Sequence, residues 1–125
     1  KNYNDGKWQG WKKNNAEIII DLHKKENINN LSISFLESHN VWIFLPKKIS
    51  ISFSNDLKTF FDEKEIIIKQ NNKNSPPNRQ LFKTENLNLN YRYIKLIIKN
   101  QKFCPDWHNG SGGDCWLFID EVQVN

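Results

Sequence analysis

The sequence predicts an all-β sandwich. Three observations carry that expectation: short runs in which apolar and polar residues alternate, turn-forming residues between those runs, and no helical period longer than a turn or two. Residues 17–22 contain Ile18-Ile19-Ile20, a β-branched run suited to a strand covered on both faces. Leu31, Ile33 and Phe35 alternate with Ser32 and Ser34. Ile49, Ile51 and Phe53 then share one face of a strand whose other face is Ser50, Ser52 and Ser54. Residues 65–68 repeat the triple isoleucine, residues 80–83 form a weaker strand, and Ile94, Leu96 and Ile98 line one side of residues 92–99. Trp116–Val124 closes the chain as a long strand. Residues 27–30 and 54–56 are turns by composition, and Pro76-Pro77 marks a surface loop over residues 71–78. About seven or eight strands at this spacing make a sandwich or barrel.

The 125 residues suffice for one domain, 1–125, with one hydrophobic core. The chain lacks Met and opens at Lys1 in polar sequence, so it is expected to be an excised or processed piece of a longer protein. No apolar run approaches the roughly 20 residues of a membrane span. The net charge of +4 comes from 18 basic and 14 acidic residues. Only Arg79 and Arg92 are arginines, and the lysines are spread along the chain, whereas nucleic-acid readers use clustered charge and Arg forks; no nucleic-acid partner is expected. Five Trp is high for a small domain; some belong to the core, but sugar-binding surfaces also use Trp, because an indole's flat apolar face stacks on the C–H face of a pyranose.

The most distinctive segment runs from Cys104 to Cys115, with Trp107, His108, Asn109 and three Gly between the chain's two cysteines. A disulfide closing this loop is the leading expectation, as small exported domains staple loops this way. A metal site on Cys104, His108 and Cys115 and a Cys–His nucleophile are the rivals; the first lacks a fourth ligand, the second an orienting partner. Trp107 and His108 suggest a sugar site in which the indole stacks and the imidazole bonds a hydroxyl. The alternative is that Trp107 folds back as a plug over the core. His39, Asn40 and Trp42 form a second constellation, with end-of-sandwich packing as its plain alternative, and Trp11 carries the same ambiguity. Asp120 and Glu121 are adjacent in an apolar strand, so one carboxylate is expected inward, and the two are not expected to act together. A Ca²⁺ held by Glu121 and by oxygens of the turn around Asp5 would satisfy the inward one. No catalytic carboxylate pair, Ser-His-Asp arrangement or phosphate-cradling loop is evident, so no catalytic residue is assigned.

Asp5-Gly6-Lys7-Trp8-Gln9-Gly10, Ile18-Ile19-Ile20-Asp21-Leu22, Trp42 with Pro46, the 49–54 strand and the closing Asp120-Glu121-Val122-Gln123-Val124 together resemble a discoidin (coagulation factor 5/8 type C) domain. Pro105-Asp106-Trp107-His108 and Trp116–Glu121 are similar to the C-terminal domain of Bacteroidetes-type chitobiases, which are β-N-acetylhexosaminidases. The resemblance implies an eight-stranded, galactose-binding-like jelly roll at the C-terminal end of a periplasmic, cell-surface or secreted glycosidase. It implies a non-catalytic module that binds a galactose- or N-acetylhexosamine-type glycan beside its parent catalytic domain, with a structural calcium near Glu121. The upstream turn that supplies much of that calcium site in the family is missing here. A structural domain that packs on the catalytic domain and binds no sugar is the other expectation.

Overall fold

The computed structural model describes residues 9–70 and 75–125, with only the backbone at positions 9 and 11. Its strands are β1 (Gln9–Lys12), β2 (Ala16–Ile28), β3 (Leu31–Glu37), β4 (Lys48–Ser54), β5 (Phe61–Ile67), β6 (Asn78–Thr84), β7 (Leu89–Lys99) and β8 (Trp116–Val124). They form two antiparallel four-stranded sheets, one ordered β1-β8-β3-β6 and the other β2-β7-β4-β5. Helix among the described residues is limited to one 3-10 turn, His39–Val41. The architecture is the all-β sandwich that the alternation predicts, and β1 is a strand that the sequence pattern did not reveal.

Alternation decides which side chains meet between the sheets. Ile33 and Phe35 of β3, Ile49, Ile51 and Phe53 of β4, Ile94, Leu96 and Ile98 of β7, and Leu117 and Ile119 of β8 are all buried in one core. Burying each such side chain contributes roughly 1.5–3 kcal/mol, so these inward rows drive the two sheets together. Ser50 and Ser52 of β4 fall on the outer face, opposite β7 residues Ile97 and Lys95, whereas Ser54, expected to share that face, is fully buried and pairs with Tyr93. The two triple-isoleucine runs behave differently from expectation. Ile20 is buried but Ile19 is 44% exposed, and Ile68 is buried while Ile67 is 72% exposed. Nothing in the described chain covers the outer face of that sheet, so each run is half-buried rather than covered on both sides.

Successive strands reverse direction, so the connections fall alternately at the two ends of the sandwich. The β1–β2, β3–β4, β5–β6 and β7–β8 connections share one end, here called the rim. The β2–β3, β4–β5 and β6–β7 connections share the other.

Candidate functional site

The rim has its own small core. Ser38 and Ile43 exchange backbone hydrogen bonds of 3.0 Å, closing a tight loop that holds the 3-10 turn. Closing it requires Trp42 to adopt φ 64°, a left-handed conformation uncommon for a bulky side chain and sustained only where surroundings enforce it. The surroundings are β8: Trp116 N–H donates to Trp42 O at 2.8 Å, and Phe44 N–H to Trp116 O at 3.0 Å. Facing it is the 104–115 loop, bonded to itself through Ser111 N–H to His108 O, Gly113 N–H to Gly110 O and Cys104 N–H to Gly113 O.

The indole of Trp42 lies across that loop. A Cβ placed on Gly110 would stand 2.6 Å from Trp42 Cζ2, and one on Gly113 2.6 Å from Trp42 Cζ3. Only glycine permits the ring to rest against the backbone this closely. Trp42 nevertheless remains 39% exposed, flanked by the exposed Asn40 and Val41, with exposed Asn109 on the facing loop. A supported indole with solvent access and neighbouring amides is chemically suited to stacking on an apolar sugar face while the amides bond hydroxyls.

Trp107 occupies a different position. It is half-buried against Phe44, Cys104 and Cys115, with its ring centroid 5.1 Å from His39 and 5.7 Å from His108. It therefore packs the small core, as the plug alternative describes, rather than standing free as a stacking platform.

The two histidines also differ from expectation. His39 is 1% exposed and His108 4%. His108 Nδ1 accepts the Gly110 N–H at 2.9 Å, which leaves Nε2 as the protonated nitrogen, donating to His39 O at 2.7 Å. His39 Nδ1 accepts the Ser75 N–H at 2.9 Å, and its Nε2 lies 3.2 Å from Glu37 Oε2. Asn78 Nδ2 donates to the other oxygen of that buried carboxylate at 3.1 Å. Every ring nitrogen is thus committed inside the protein. A ligand-facing role for His39 and His108 does not fit; they brace the two loops that hold Trp42.

The cysteines are free thiols, and both are buried. Phe103 pairs with Asp114 in an antiparallel bridge, Cys104 N–H donates to Gly113 O, and Cys115 N–H donates to Lys102 O. This register makes Cys104 and Cys115 diagonal neighbours. Such neighbours stand roughly 7–8 Å apart, against about 5.5–6 Å between the Cα atoms of a disulfide. The expected disulfide is corrected on that geometry. The Cys115 thiol instead contacts Asn100 Oδ1 at 3.6 Å, and burial pushes it up to about 12. Burial raises the Cys104 thiol too. A protonated, buried thiol is a poor nucleophile. Among the described residues, no group of three or more His, Cys, Asp and Glu stands ready to hold a metal.

At the carboxylates, the register between β3 and β8 corrects the sequence reading. Ser34 pairs with Glu121 and Phe35 with Ile119, so Asp120 is an extra residue, a β-bulge. Leu117 and Ile119 before it and Val122 and Val124 after it are buried, while Asp120 and Glu121 both lie in the half-buried outward set. Both carboxylates therefore meet the same cation. Arg79 Nη2 donates to Glu121 at 2.7 Å, and its Nε side contacts Asp120 and Ser34 Oγ. Gln123 Nε2 donates to the second Glu121 oxygen. In this structure Glu121, one expected calcium ligand, is met by Arg79 and Gln123. Asp5, the other expected ligand, lies outside the described residues, as does Trp8. Trp11 is described only by its backbone position opposite Leu117.

Sequence reasoning missed the Arg79 cluster and the role of Gly110 and Gly113 as a shelf. The bulge had a signal: the apolar phase of β8 shifts from 117 and 119 to 122 and 124.

The comparisons with known proteins agree with the fold. Residues 1–120 match the model of the F5/8 type C domain. Among solved structures, the C-terminal domain of a chitobiase from Bacteroides fragilis is similar in fold, with TM-score 0.50 and 19% identity, over 89% of this chain. The match spans 62% of that chain's length. The search of curated proteins found no match. Matched over nearly its whole length by that family's model, the chain belongs to the F5/8 type C, or discoidin, domain family.

Proposed function

We propose that this domain is a non-catalytic carbohydrate-binding module that holds a parent β-N-acetylhexosaminidase of the chitobiase type near its glycan. The observation that carries the reading is the Trp42 indole, seated on Gly110 and Gly113 with access to solvent. In this reading Trp42 stacks on the sugar ring, and Asn40 and Asn109 bond its hydroxyls. Family membership and the likeness to a chitobiase C-terminal domain support a carbohydrate-binding or accessory role. The two adjacent carboxylates do not support hydrolysis, since Arg79 bridges them. Binding to glycan outside the cytoplasm would place the parent protein in the periplasm, at the cell surface or in the medium. Affinity is expected to be weak, about 0.1–1 mM, because an open rim buries little ligand surface.

The test is titration of the isolated domain with galactose and with N-acetylglucosamine oligomers. Trp42→Ala should abolish binding without changing the folded spectrum. Equal affinity in wild type and variant would remove the site.

A second reading has its own observation. Ile19, Ile67 and Ile97 are exposed on the outer face of the β2-β7-β4-β5 sheet, a surface suited to packing on a catalytic domain. No response to any sugar, with Ile97→Lys weakening association with the catalytic domain, would favour a purely structural role.

A further inference from the structure

In sequence the lysines look dispersed, but the alternating connections gather them. Lys13 follows β1, Lys47 and Lys48 open β4, Lys69 follows β5, Lys99 ends β7 and Lys102 begins the β7–β8 connection; all stand at the rim. Backbone bonds make them neighbours. Lys47 N–H donates to Lys99 O, Ile68 N–H donates to Lys47 O, and Cys115 links the Lys13 and Lys102 backbones. Lys48 lies directly opposite Lys99 in the ladder. The carboxylates at this end are few. Glu37 is buried with His39, Asp114 pairs with Lys13 at 3.9 Å, Glu17 near the start of β2 pairs with Lys95 at 3.6 Å, and Asp106 is exposed. Lys48 pairs with Glu65. Among the described residues, no ion pair neutralises Lys47, Lys69, Lys99 or Lys102, all four of which are exposed. Counted the same way, the far end carries Lys24, Lys25, Lys58 and Lys83 against Glu26, Asp56, Asp62 and Glu85, a balanced set, so the unpaired excess of lysine lies at the rim.

We infer that the rim selects an anionic glycan, one in which acidic sugars carry carboxylate or sulfate groups along the chain. The inference rests on the proposed Trp42 site and deepens it. An indole platform alone recognises any pyranose; unpaired ammonium groups at the same end of the sandwich favour a ligand long enough to reach them and whose successive residues carry negative charge. A polymer alternating N-acetylhexosamine with a uronic acid meets both requirements. Ammonium groups on flexible stems suit this role better than guanidinium forks, because acidic groups recur along such a polymer without one fixed bidentate geometry.

The test compares two probes of equal length: a hyaluronan oligosaccharide, with a carboxylate on every second sugar, and a chitin oligosaccharide, with none. The expected result is hyaluronan binding about ten-fold tighter at low ionic strength, with most of that preference lost near 0.3 M salt, where screening shortens to about 6 Å. Lys47→Gln/Lys99→Gln/Lys102→Gln should erase the preference and leave chitin-oligomer affinity unchanged. Trp42→Ala should abolish binding to both. Equal affinity for the two probes would overturn the charge inference alone and leave the Trp42 site standing. No binding to either would overturn the Trp42 site and the inference with it. Binding to phosphatidylserine vesicles or to DNA as tight as to hyaluronan, and insensitive to Trp42→Ala, would overturn the inference in favour of unspecific attraction to polyanions.

Discussion

At the far end of the sandwich the β2–β3 connection is two residues, Asn29 and Asn30, both donating backbone N–H groups to Asn125 O. The β6–β7 connection there is held by Leu87 N–H on Asn29 O, and the β4–β5 turn by Ser54 and Asp56 side chains capping nearby N–H groups. At the rim, the β7–β8 connection alone runs from 100 to 115 and carries its own core of Phe44, Cys104, Cys115 and Trp107, with His39 stacked on Phe44 at 4.6 Å. The far end is closed by backbone geometry and small polar side chains. The rim is long enough to need internal packing, and that packing leaves the indoles of Trp42 and Trp116 exposed among the described residues. The difference shows how a uniform sandwich specialises one end: the sheets supply stability, and the longer loops spend it on a presented surface.

Substitutions can separate the two regions. The largest effect is expected in the sandwich core. Phe35→Ala should cost about 3–5 kcal/mol, measured by urea unfolding, since the side chain is wholly buried between the sheets. A loss below about 1 kcal/mol would mean that the sheets do not carry the stability.

Next is Gly113→Ala, whose Cβ would meet the Trp42 ring and Gly110 O. It should cost about 1–3 kcal/mol and shift Trp42 fluorescence. Gly112→Ala is the control: nothing lies within 4 Å of its Cβ, but its φ is +81°. Strain of about 1 kcal/mol is expected, with Trp42 emission unchanged. Identical emission changes in both variants would contradict the shelf.

The smallest effect concerns acid. The Arg92 hydrogen bond, aided by the His23 N–H, holds the Asp21 carboxyl at about 2, below its ordinary 3.8. The folded value is the lower one, so this contribution is full above the unfolded value and is lost as pH falls toward about 2. Arg92→Gln should flatten the stability profile over that acid window in thermal melts while leaving glycan binding at the rim unchanged. An unaltered profile would show that the pair adds nothing.

Much of this structure could be read from the sequence. Alternation in 31–35, 49–54 and 92–99 named strands that the structure contains, and Trp116–Val124 matches β8 end to end. The triple isoleucines misled because β-branching reports strand preference but not whether a second layer covers the outer face. The adjacent Asp120-Glu121 misled because strict alternation ignores bulges, although the apolar phase shift was present. At the rim, residue type was informative and placement was not. Trp42 and Trp107 are both tryptophans on polar loops; only the long-range meeting of Trp42 with Gly110 and Gly113 seats it on a backbone shelf. His39 and His108 looked like hydrogen-bond donors for a ligand because burial is invisible in a single sequence. The lysines looked scattered because strand reversal, not sequence distance, decides which connections share an end.

The contrast between the two indoles offers the most direct measurement. With side-chain Nε1–H signals assigned by Trp42→Phe and Trp107→Phe, a glycan containing N-acetylglucosamine is titrated into the wild-type domain and followed by NMR. The Trp42 resonance should move saturably while the Trp107 resonance stays nearly still. A stationary Trp42 signal, or a Trp107 signal that moves first, would contradict the assignment of the rim platform.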